Sequence, residues 1–145
     1  MFEKLFLLVK NNAGKAVMEN PEISEKDREA VINEASSSII EVFKGQMESG
    51  KLKDVVKFFQ FPEIYNGSLI SSVVNKFANK LNKFYGIGPA SAMLTANSLI
   101  PPVMFELIKQ TKSGQNQELA LSSFLSKING NRADLSGLVH QMMAA

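Results

Sequence analysis

The chain of 145 residues has no cysteine, no tryptophan and a single histidine. Without cysteine there are no disulfides, no thiolate nucleophile and no cysteine-ligated zinc. One imidazole, His140, leaves no arrangement that needs two, and it removes most metal sites; no metal or cofactor is expected. An excess of charge of one sign is missing too: 16 basic residues face 14 acidic ones, for a net charge of +2. A polyanion reader concentrates positive charge on one face, so nucleic acid is not an expected partner. Long apolar runs are also lacking. Leu5–Val9 falls short of the roughly 7–15 residues of a signal-peptide core, and Lys10 interrupts it. No run approaches the roughly 20 residues that span a bilayer. The expectation is a cytoplasmic protein with no transmembrane segment.

The chain does carry apolar periodicity. Hydrophobic content of 45% and charged content of 21% are ordinary for a globular chain, and the length suits a single domain over residues 1–145. The strongest pattern lies between Ser68 and Tyr85. Ile70, Val74, Phe77, Leu81 and Phe84 recur at alternating four- and three-residue steps, widened by Leu69, Val73, Ala78 and Tyr85, with Ser, Asn and Lys opposite. Such a stripe requires other helices to cover it. Gly86-Ile87-Gly88-Pro89 comes next, a left-handed stop and then a helix-starting proline, so a helical hairpin is predicted. The second arm carries Ala90, Ala92, Met93, Leu94, Ala96, Leu99 and Ile100. Pro101-Pro102 is expected to break it and a further piece to restart at Val103, at an angle to the first.

Elsewhere, Phe2, Leu5, Phe6, Leu8 and Val9 form one helical face, and Asn11, Asn12 and Gly14 weaken the helix beyond it. Asn20-Pro21 ends that segment. Ser24 with Asp27 resembles a capping box for a helix that runs to about Glu48 and stops at Ser49-Gly50. Within it, the small Ser36–Ser38 run either permits close helix approach or faces water. A shorter helix spans Lys51–Gln60, and Pro62 with Asn66-Gly67 reads as a connection that leaves Ser68 to cap the next helix. Residues 111–118 read as a flexible connection, with short amphipathic pieces after it at Leu119–Ile128 and Asp134–Met143. The resulting expectation is an all-α, single-domain compact bundle of about six or seven helices with a central helical hairpin.

The Tyr85-Gly86-Ile87-Gly88 corner, the Ala90/Ala92/Ala96 helix, Leu99-Ile100-Pro101, the Val103–Ile108 helix, Phe124-Leu125 and the Asn129-Gly130 turn together resemble the YidB-like group of small bacterial helical proteins. The resemblance covers about the C-terminal half. It implies a bacterial, all-helical protein and carries over no catalytic residue, because that group has no agreed ones. The charged front half, and the absence of glycine-rich tracts, depart from the pattern.

Chemistry is sparse. His140 has Asp134 six residues away, off its helical face, and no nucleophile beside it. Glu22, Glu25, Asp27, Glu29 and Glu34 suit the positive end of a helix dipole and read as solvated. Lys76, Lys80 and Lys83 form a basic stripe, without arginine, that solubilises a helix face or touches an anionic lipid surface. Ten phenylalanines and seven methionines remain. Methionine adapts to irregular gaps and recurs at binding surfaces. An interaction surface is therefore sought at Phe58, Phe61, Lys76, Lys80, Lys83, Met104, Phe105, Met142 and Met143. The functional expectation is a non-enzymatic interaction or homodimeric module that binds a protein partner or itself. The alternative is a carrier or sensor of a hydrophobic small molecule or lipid held between Met- and Phe-rich helices.

Overall fold

A computed structural model describes residues 3–113 and 121–128, and all of its regular structure there is helical. The elements are α1 (Glu3–Asn11), a π turn (Gly14–Met18), a 3-10 turn (Glu25–Asp27), α2 (Arg28–Glu48), α3 (Leu52–Gln60), α4 (Pro62–Tyr85), α5 (Pro89–Ser113) and α6 (Leu121–Ile128). The fold is the expected all-α bundle around a single core.

α4 sits at its centre, packing on α2, α3 and α5. The four-and-three stripe explains why: Val73, Phe77 and Leu81 are fully buried, and Leu69, Val74 and Ala78 nearly so. α2 runs antiparallel to α4. Glu41 on α2 meets Lys80 at 3.0 Å and Lys76 at 3.5 Å, while Tyr85 at the far end of α4 lies in the field of Glu34 and Asp27. α4 and α5 form the hairpin. Gly86 takes the left-handed conformation (φ 65) that stops α4, and the Asn82 side-chain amide donates to the Ile87 carbonyl at 2.8 Å, pinning the corner.

The stop of α2 lies where its residues predict. Gly50 adopts φ 78, its N–H donates to Met47 O at 3.1 Å and the Lys51 N–H to Gln46 O at 2.9 Å, which is a Schellman closure. Its start differs. Ser24 precedes a 3-10 turn whose first bond is backbone to backbone, and no side-chain cap forms. In the Ser36–Ser38 run, Ser36 and Ser38 are buried and donate back to Ile32 O and Glu34 O. Each hydroxyl thereby satisfies its own proton within α2.

Two proline expectations are corrected. Pro62 does not mark a loop: it is the first residue of α4, Phe61 alone separates α3 from α4, and Asn66-Gly67-Ser68 lie within the helix. Proline is tolerated there because the first-turn N–H groups have no intrahelical acceptor anyway. Pro101-Pro102 does not divide α5, which continues from Pro89 to Ser113. The pair removes the donors that would serve the carbonyls of Asn97 and Ser98. Both of those residues lie on the exposed side of α5. On the inner side Leu99, Ile100, Val103, Met104 and Leu107 are all fully buried, so packing holds the register through the gap. Residues 111–113, expected to begin a connection, belong to the same helix. Residues 114–118 lie outside those described.

At the other end of the core, Phe43 (α2), Phe58 and Phe59 (α3) and Phe124 (α6) form a tilted and edge-to-face cluster with centroids 5.2 to 6.3 Å apart. This cluster docks α6 on the bundle. Phe84 is the exception to the stripe: it is 66% exposed. It shares the angular position of its buried neighbours but lies in the last turn of α4.

Phe43 and Phe84 therefore give contrasting outcomes. Phe43→Ala is expected to cost about 3–5 kcal/mol in urea unfolding, whereas Phe84→Ser changes stability by no more than about 0.5 kcal/mol. Tyr85 gives a pH test. Partial burial, and then the negative charges of Glu34 and Asp27, raise its pKa above the ordinary value. The neutral phenol is thus favoured in the fold, so its contribution is complete below about pH 10 and is lost as pH rises through the higher folded value. Tyr85→Phe should lose less stability than the native chain between about pH 9 and pH 11; equal alkaline loss in urea titrations would contradict this.

Candidate interaction surface

The core consumes part of the apolar inventory from which a surface was expected. Phe58 and Met104 are fully buried in the monomer and present nothing to a partner. Aromatic periodicity alone could not separate them from their exposed neighbours Phe61 (46%) and Phe105 (47%). Of the lysine stripe, Lys76 and Lys80 are drawn onto Glu41, tying α4 to α2, and Lys80 is largely covered. Lys83 is exposed one turn further on. The structure therefore splits the stripe between an interhelical ion pair and a solvated end. Met142, Met143 and His140 lie outside the described residues.

Among the described residues, an exposed apolar row on α5 joins Phe105, which the sequence singles out, to Leu94, which it does not. Leu94 is 70% exposed, and Phe105 lies eleven residues, or about three helical turns, further along the same face of α5. Between them on this face stand Ser98, Pro101 and Pro102, and Ala90 precedes them. From Pro89 to Phe105 no residue is charged. A scattered apolar residue at a surface is ordinary, but an uncharged row of this length is not. The expected break at Pro101-Pro102 concealed it, since Leu94 and Phe105 share a face only if the helix is continuous.

By length and composition alone, Pro89–Lys112 could cross a membrane, unlike the shorter runs considered from sequence. Half of the window is buried inside the bundle, against α1, α4 and the π turn, so those two properties make no case for a span. One polar contact of α5 runs inward to the buried Thr95. Asn20 donates to Thr95 Oγ1 at 3.2 Å and to Ala16 O at 3.0 Å, fixing the π turn against the helix.

A second feature is a groove of about 550 Å³ between α1 and α2. Phe6, Leu7 and Ile40 supply its apolar walls, and Asn33, Ser36 and Ser37 its polar floor. Leu7, 48% exposed, is the ridge between this groove and a smaller, more polar one of about 320 Å³ that reaches Glu106 and Gln110 on α5. Among the described residues no group of three or more His, Cys, Asp or Glu is placed to hold a metal ion. The acids Glu22, Glu25, Asp27, Glu29 and Glu34 spread along the 3-10 turn and the first two turns of α2; Glu22 accepts a hydrogen bond from Ser91 of α5 at 3.2 Å.

Comparison with protein-family models, with curated proteins and with solved structures returns no match. The YidB-like resemblance of the C-terminal half rests on its glycine and proline punctuation alone.

Proposed function

We propose that this protein is a non-enzymatic helical interaction module that self-associates through the exposed face of α5. The supporting observation is the placement of Leu94 and Phe105, two large apolar side chains, on one uncharged face three turns long. Leaving such a row in water forfeits its burial, at roughly 25 cal/mol per Å² of apolar surface. Association recovers it. The flanking rim is polar, with Asn97 beside the row and Lys109 at its end, which matches the wet, reversible character of non-obligate interfaces.

A second reading, a carrier of a hydrophobic small molecule, is favoured by the α1–α2 groove. Its volume falls within the range of about 300–1,000 Å³ typical of ligand pockets, and its walls are apolar with a polar floor. That site differs from the space between Met- and Phe-rich helices expected from sequence, where Phe43, Phe59 and Met104 are packed in the core. Native mass spectrometry of freshly purified protein distinguishes the readings, since a carrier retains a bound lipid-sized mass.

The test of the leading proposal is light scattering across a concentration series. The native chain should approach twice its monomer mass as concentration rises. Leu94→Glu with Phe105→Glu should remain monomeric with an unchanged helical circular dichroism spectrum. A native chain that stays monomeric throughout, and behaves like the variant, overturns the proposal.

A further inference from the structure

Resting on that reading, we infer that the occupant of the α5 face is the α5 face of a second copy, packed antiparallel about a two-fold axis that passes between Leu99 and Ile100. The order of side-chain sizes along the row points to this pairing. Ala90, Leu94, Ser98, Pro101 and Phe105 lie near one line on the exposed side of the helix. Turning the helix end for end about that axis sets Leu94 level with Phe105 of the second copy, and Ser98 level with its Pro101. The two large side chains of each copy thus meet near the ends, and Ser98 and Pro101 meet in the middle, where the helix axes come closest. An isologous contact of this kind requires a surface complementary to itself.

Charge agrees with the same axis. Lys109 is exposed at one end of the row and comes level with Ala90 of the second copy. Beside Ala90, the Ser91 hydroxyl holds the Glu22 carboxylate at 3.2 Å. Ser91 and Lys109 stand on the same flank of α5, and the two-fold operation keeps them on one side of the contact, about one residue rise or 1.5 Å apart along the axis. Each end of the contact therefore sets a Lys109 ammonium against a Glu22 carboxylate, twice over by symmetry. A parallel pairing would instead leave Lys109 at the far end of the contact from Glu22. The stretch between those ends carries no charge.

Because the chain has no cysteine, single cysteines introduced on α5 report this geometry cleanly. Ser98 lies about 4.5 Å along the axis from its own counterpart; with helix axes about 8 Å apart, the Cα atoms come about 6 Å from each other, a separation that a disulfide bridges. Leu94 lies about 16 Å from its counterpart, which is too far. The expected result under mild oxidation is a band of doubled mass for Ser98→Cys and none for Leu94→Cys alone. Mixing Leu94→Cys with Phe105→Cys should yield a cross-linked heterodimer. Glu22→Lys and Lys109→Glu should each weaken self-association several-fold, and the two together should restore it. A native chain that doubles its mass in solution while Ser98→Cys fails to cross-link overturns the antiparallel pairing and leaves the interaction reading standing. A native chain that is monomeric at every concentration, or that instead sediments with anionic vesicles through α5, overturns both.

Discussion

The structure depends on the covering of one apolar stripe, that of α4. Val73, Phe77 and Leu81 are fully buried because α2, α3 and α5 each lie against that helix. Every other placement derives from it. α5 is held by the Gly86 corner and by its own inward row; α2 is held by its apolar face, with the Glu41–lysine pairs adding little in solvent. α6 is added at the aromatic end through Phe124. Apolar packing thus places the helices, and the ion pairs add little to it.

The exposed apolar row on α5 arises from the same constraint. A bundle built on one central helix gives α5 an inner face against α4, α1 and the π turn, and leaves its outer face uncovered by the helices described. In most amphipathic helices that outer face is charged. Here it carries Ala, Leu, Ser, Pro and Phe over three turns, and the charges begin only at Glu106 and Lys109. No metal cluster competes with it among the described residues.

Much of the bundle is legible in the residues. The four-and-three steps from Ile70 to Leu81, the Ser49-Gly50 stop and the Gly86–Pro89 corner each carry a local physical signal, and the structure places each where that signal does. The departures share a cause. Local backbone rules make Pro62 and Pro101-Pro102 breaks, whereas position in the first turn excuses the former and five buried neighbours hold the latter. Periodicity points Phe84 inward, because it gives the angle of a side chain but not how far along the axis its cover extends. Leu94 lies opposite the buried stripe of α5, so the exposed row there is hidden by the first kind of error alone. Phe105 stands out in the sequence and Leu94 does not, since a break between them erases their common face.

By removing two donors, the tandem proline leaves the Asn97 and Ser98 carbonyls without their helical bonds, midway along the side of α5 that faces solvent. In hydrocarbon each such group would cost several kcal/mol. Lipid tails would therefore be a poor environment for this face despite its oiliness, and hydration at its midpoint would have to be preserved or replaced by a donor.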